Sequence, residues 1–124
     1  MTRSAVSGTA PGGPYSPGIV AEGRFVYVSG QGPLVDGSLQ LGTIEDETRL
    51  TLDNVGRVLE AAGATFADVV RCGVFLADLD DFPAMNAVYA TYFPEPRPAR
   101  TTIGAPLLNG MKIEIDCVAV LPGA

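Results

Sequence analysis

The run from Met111 to Leu121 alternates without interruption. Met111, Ile113, Ile115, Cys117, Ala119 and Leu121 fall on one side, and Lys112, Glu114, Asp116, Val118 and Val120 on the other. Successive side chains of a strand point to opposite faces, so this run reads as a strand with one face in a core. Such a strand needs neighbours beside it and a layer to cover its apolar face. Its second face is charged at one end and apolar at the other. That pattern suits a half-solvated surface, a partly polar cavity or a subunit interface.

Two helices are available as cover. The first is expected over Glu45 to Ala62, with Thr43 as N-cap, Asp46 in a capping-box-like position and acidic residues in the first turn. Leu52, Val55, Leu59 and Ala62 form its apolar stripe, with Thr48 and Val58 beside it, and Gly63 ends it. The second opens at Asp80-Asp81-Phe82-Pro83, with Asp81 able to cap it. It carries the stripe Phe82, Met85, Tyr89, Tyr92 and is expected to run until Pro94 stops it.

The remaining strands are expected at Ile19 to Ala21, Arg24 to Ser29, Asp68 to Ala77 and Arg100 to Ala105, with short strands flanking the Asp36-Gly37 turn. In the second, Phe25, Tyr27 and Ser29 share one face and Val26 and Val28 the other. Asp68 to Ala77 is apolar on both faces, which marks a central strand. There, Val70, Cys72, Val74 and Leu76 share one face and Val69, Arg71, Gly73, Phe75 and Ala77 the other. Met1 to Gly13 fits a loose arm or a short edge strand. The order β-β-(β)-α-β-α-β-β gives an α+β domain, residues 1–124, with two helices packed on one face of a mixed sheet. No third helix is available for the opposite face, so self-association is the economical way to cover it.

Composition excludes several chemistries. Net charge is −6, and Lys112 is the only lysine. No basic stripe could neutralise a run of phosphates, so no nucleic-acid partner is expected. There is no histidine, and Cys72 and Cys117 are far apart in sequence, so no metal site is expected. Both cysteines read as buried free thiols. No signal peptide and no apolar run long enough for a membrane span are visible, which leads to the expectation of a soluble cytoplasmic protein.

Pro98 to Val120 reads as a hairpin-like return with Arg100 heading its first segment and Glu114 inside its second. Arg100 could grip a carboxylate through parallel N–H···O bonds, and Glu114 on the neighbouring strand could move a proton. An ordinary hairpin with a surface Arg and a surface Glu is the alternative. Tyr15 sits in a stiff Pro-Tyr-Ser-Pro context, where it either presents its ring at a fixed place or caps the core. Ser29-Gly30-Gln31-Gly32 allows either close approach of a ligand to the backbone or a β-bulge and turn. Asn86 lies next to the stripe of the second helix.

Several motifs together resemble the Rid family of enamine/imine deaminases, also known as YjgF-type proteins or under the label L-PSP endoribonuclease. They are G-P-Y-S-P at Gly13 to Pro17, V-S-G-Q-G-P at Val28 to Pro33, L-D-N-V at Leu52 to Val55, M-N-A-V-Y-A-T-Y-F at Met85 to Phe93, P-A-R-T-T at Pro98 to Thr102 and K-I-E-I-D at Lys112 to Asp116. The resemblance covers essentially the whole chain. It implies a chorismate-mutase-like fold and a homotrimer with a barrel-like centre and sites in the clefts between subunits. It also implies hydrolysis of 2-imino acids, derived from 2-aminoacrylate and related enamines, to 2-keto acids and ammonia, without metal or organic cofactor.

Carried over by position, Arg100 would hold the substrate carboxylate, and Glu114 would handle the attacking water and the leaving nitrogen. Tyr15 and Asn86 would line the pocket, with Ser29 and Gly30 as its floor and Thr102 beside them. Thr102 stands where many members have Cys, and Pro17 where Gln is common. The loop between Thr102 and Met111 is about a residue shorter than in the best-known members. Beside a deaminase, two readings remain: a non-catalytic small-acid-binding or regulatory protein on the same scaffold, and an endoribonuclease, against which the charge and the missing histidine both speak.

Overall fold

The computed structural model describes residues 2–123, so Met1 of the expected N-terminal arm lies outside it. The strands are β1 (Arg3–Val6), β2 (Gly18–Ala21), β3 (Phe25–Gln31), β4 (Leu34–Val35), β5 (Ser38–Leu39), β6 (Val69–Leu76), β7 (Ala99–Gly104) and β8 (Ile113–Val120). The helices are α1 (Ile44–Ala61) and α2 (Phe82–Tyr89). The main sheet has the order β3-β8-β6-β7. Its β3–β8 and β8–β6 pairs are antiparallel and its β6–β7 pair is parallel, so it is mixed. β1 pairs with β2, the edge-strand alternative for the N-terminal arm, and β4 with β5 across the Asp36-Gly37 turn.

Pro98 to Val120 is not a hairpin. β6 lies between β7 and β8 and pairs with both. A strand apolar on both sides gains most from a central place, and the two-sided pattern of Val69 to Leu76 takes it. One face assignment within β6 also changes. Val69 pairs with Ala119 and Arg71 with Val118, so a bulge absorbs one residue. The bulge turns Val69 into the core beside Cys72, Val74 and Leu76.

α1 starts as its sequence demands. Thr43 accepts a hydrogen bond from the Asp46 amide at 3.1 Å, and Gly63 beyond the end adopts φ +86°. It lies over β3 and β8 and packs against α2. Leu52, Val55 and Leu59 are fully buried, whereas Ala62 at the C-cap is exposed and Ala64 fills the core instead. α2 ends at Tyr89, well before Pro94. Amides of Thr91 and Tyr92 bond back three residues, to Val88 and Tyr89, and Thr91 Oγ1 also donates to the Val88 carbonyl. This tightening lets Phe93 return to the core, stacked on Tyr89 with ring centroids 4.4 Å apart. Asp81 occupies the N-cap position without a side-chain cap bond; Asp78 instead caps the 3-10 turn before it.

No sequence pattern marks Glu47, whose side chain is fully buried. Its carboxylate accepts from the backbone amides of Lys112 (2.8 Å) and Gly42 (3.1 Å) and from Lys112 Nζ (3.2 Å). Lys112 therefore turns toward α1 and leaves the charged face of β8 to Glu114 and Asp116. Glu47→Ala would strand two amides, and we expect a loss of about 3 kcal/mol. In a thermal melt this is a fall of roughly 10 °C, with Glu47→Gln losing less.

The opposite face of the sheet carries no helix among the described residues. Tyr27 there is 76% exposed, with Phe25 and Ile103 also open to solvent.

Candidate active site

Arg100 lies on β7, directly across from Cys72 on β6, which in turn faces Cys117 on β8. Cross-strand partners point to the same face, and both thiols are in the core. Arg100 is therefore on the helix-covered face. Its guanidinium sits among three rings, 4.8 Å from the Tyr89 centroid, 5.1 Å from Tyr15 and 5.6 Å from Phe82. Burial draws its pKa down from the ordinary value, yet a guanidinium keeps its charge at any working pH.

Tyr15 is brought there by backbone pinning. The Ser16 amide bonds the Pro98 carbonyl at 3.1 Å, the Ser16 hydroxyl donates to the Arg97 carbonyl, and Ser16 forms an isolated parallel bridge with Ala99. The Tyr15 hydroxyl accepts from the Gly12 amide. Gly13 closes the same corner, because a side chain there would meet Arg100 Nη2 and Asn86 Nδ2 at 3.4 Å. Thr102, two residues along β7, shares the Arg100 face.

Among the described residues, Asn86 Oδ1, Tyr89 Oη, Arg100 Nη1 and Thr102 Oγ1 are buried without a hydrogen-bond partner. Arg100 Nη1 and the Tyr89 and Thr102 hydroxyls can donate to a small anion, and Asn86 Oδ1 can accept from an N–H or O–H beside it, since a buried polar atom left unpaired is costly. Tyr89 and Phe82, read from the sequence only as core, are part of it. Their stripe gave no sign of a role beyond packing, because an aromatic facing a cation and one facing a leucine have the same spacing.

Glu114 lies elsewhere. It pairs with Phe75 on β6, flanked by Ile113 and Ile115, which are fully buried on the helix side. Glu114 thus points to the open face. From the register, its Cα is roughly 14 Å from that of Arg100, taking strand spacing and rise together, and the sheet itself separates the two side chains. Ser29 and Gly30 are with Glu114, in a β-bulge between Val28 and Gln31. The seven candidate residues therefore fall into two groups on opposite faces of the sheet. Arg100, Tyr15, Asn86 and Thr102 lie on the helix side, and Glu114, Ser29 and Gly30 on the open side. The surface hollow lined by Asp53, Gly56, Arg57 and Phe66 includes neither Arg100 nor Glu114.

Beneath Arg100 both cysteines are free. Burial pushes the Cys72 thiol up to about 12 and the Cys117 thiol higher still, and raises the Tyr89 hydroxyl as well. Groups whose folded pKa is raised stabilise the fold fully below the unfolded value, near 9 for a thiol, and lose that contribution as pH climbs through the folded value. We expect the urea midpoint to fall steadily between about pH 9 and 12, and native protein to resist a thiol reagent that labels both cysteines on unfolding. Among the described residues no group of His, Cys, Asp or Glu could hold a metal ion, and no helix is long and apolar enough to cross a membrane.

Two helices on one face of a mixed sheet, with an aromatic-lined arginine on the helix side and a glutamate on the open side, define a small α+β protein. The family model described as Endoribonuclease L-PSP matches residues 6–121, and the chain belongs to that family, the Rid or YjgF family. It is 46% identical over 112 residues to Protein mmf2, mitochondrial, of Schizosaccharomyces pombe, covering 87% of this chain and 88% of that protein. It is 41% identical over 111 residues to the 2-iminobutanoate/2-iminopropanoate deaminase of Capra hircus, covering 87% and 80%. The crystal structure of the Rid-family protein YyfB of Yersinia pestis superposes with TM-score 0.86 at 28% identity, over 98% of this chain and all of that one.

Proposed function

We propose that the protein hydrolyses 2-imino acids to 2-keto acids and ammonia, at a site built where the Arg100 half of one subunit meets the Glu114 half of another. The observation that carries this reading is the partner-free, buried Nη1 of Arg100 in its aromatic corner. A substrate carboxylate supplies the charge and the acceptors that this group lacks. The open face with its exposed Phe25, Tyr27 and Ile103 supplies a surface for a second copy, in keeping with the trimers typical of the family.

Arg100 holds the carboxylate and so fixes the adjacent iminium carbon. Glu114 takes a proton from water as the oxygen adds to that carbon, giving a carbinolamine. It returns the proton to the amine nitrogen, the C–N bond breaks to release ammonia, and the hydroxyl proton passes through Glu114 to that ammonia, giving ammonium, as the carbonyl forms. The products are a 2-keto acid and ammonium, with no change in oxidation state and no cofactor required by the balance. Asn86 Oδ1 and the Thr102 hydroxyl line the pocket beside Arg100.

The test couples the protein to a deaminase that releases 2-iminobutanoate and follows 2-ketobutyrate. Wild type should accelerate its appearance above spontaneous hydrolysis; equality with Arg100→Ala would sink the reading. Calorimetric binding of 2-ketobutyrate without turnover would instead establish a small-acid-binding protein. The family's endoribonuclease description does not carry over well to a chain of net charge −6 without histidine.

A further inference from the structure

A glycine inside a strand costs stability, so the two on the open face ask for a reason. Backbone conformation does not supply it. Among the described residues the glycines with positive φ are Gly8, Gly23, Gly37, Gly63 and Gly110, and neither Gly30 nor Gly73 is among them. Space does supply it. A Cβ at Gly30 would lie 2.9 Å from Cδ of Glu114 and 3.2 Å from its Cγ, with Oε2 closer still. A Cβ at Gly73 would lie 2.5 Å from Oδ1 of Asp116.

The two carboxylates of β8 thus fold outward in opposite directions, each onto a glycine of a flanking strand. Asp116 is tied down there by a hydrogen bond from the Gly73 amide at 3.1 Å. Glu114 is confined by shape. The bulge matters here. Val28 pairs with Cys117 and Gln31 with Ile115, so Ser29 and Gly30 together stand opposite Asp116 alone. A bulge breaks the in–out alternation and re-aims the positions within it. That is how the missing side chain of Gly30 comes to face Glu114.

We propose that Gly30 is a positioning residue for Glu114. The gap it leaves sets how far the carboxylate lies back toward β3, and hence where the proton donor stands relative to an imine held by Arg100 of another subunit. The proposal rests on the deaminase reading. It differs from a floor that merely touches the substrate, because it acts through Glu114.

Gly30→Ala tests it. The atom in the way is the end of a flexible side chain, so the protein should fold and trimerise as wild type while the carboxylate swings aside. A misplacement of about 1 Å in a reacting group costs on the order of 100-fold. We expect kcat for 2-iminobutanoate to fall roughly tenfold to 100-fold with KM within about threefold. In a Glu114→Gln background, which keeps the shape of the side chain but not its proton chemistry, Gly30→Ala should cost nothing further. A crystal structure of Gly30→Ala should show the Glu114 carboxylate displaced.

Wild-type kcat in Gly30→Ala would overturn the proposal. So would an equal loss in both backgrounds, which marks direct substrate contact, or an unmoved Glu114. A wild-type protein without imine turnover overturns the deaminase reading itself and is distinguished by that control.

Discussion

Arg100→Ala is expected to lower kcat/KM for 2-iminobutanoate about 100-fold, the equivalent of losing one well-formed charged pair of roughly 3 kcal/mol. Most of the loss should fall on KM, because the carboxylate is held alike in ground and transition states. Arg100→Lys should recover little, since an ammonium lacks the planar fork and stacks poorly among three rings. The same position should show the opposite sign in stability. A desolvated guanidinium with an unpaired Nη1 costs the empty protein free energy that ring contacts only partly offset. Arg100→Met, which keeps much of the volume, is expected to raise Tm while removing activity. A Tm that fell by many degrees would mean that the arginine is structural.

Mixing two inactive variants is expected to restore activity. Arg100 and Glu114 lie on opposite faces of one sheet, so a site of the proposed kind has to take them from different copies. When Arg100→Ala and Glu114→Gln chains are refolded together at equal amounts, about one site in four should carry both native residues, given random assortment in a closed ring. The mixture should therefore regain roughly a quarter of wild-type activity, although Glu114→Gln alone should lose on the order of 10²- to 10⁴-fold as a missing acid/base. A mixture no better than its components would show that both residues serve one site from one chain, against the geometry.

Much of this was legible before the structure. The alternation of Met111 to Leu121 placed Ile113, Ile115 and Cys117 in the core and Glu114 on the other face, and Thr43 marked the start of α1. These are local patterns, read within a few residues. What escaped was non-local. No pattern in Pro98 to Val120 reveals that β6 lies between its two strands, and that insertion is what parts Arg100 from Glu114. The bulge that turns Val69 inward leaves a Val-Val-Arg run looking like any other. Glu47 sits in an acidic first turn that the helix dipole already explains, so its burial against the Lys112 amide had no separate signature. The family motifs pointed to the seven candidate residues, but only the register divides them into four and three.

The pinning of Ser16 to the strand that carries Arg100 also bears on folding. The contact joins residues 81 positions apart in the chain, from the Ser16 hydroxyl to the Arg97 carbonyl. Closing so long a loop is entropically costly until β6 and β8 have formed a surface to receive it. The aromatic corner around Arg100 is then among the last places to become ordered. In pulsed hydrogen exchange during refolding, the Ser16 amide should gain protection after those of Val74 and Ile115, and binding competence should appear with it.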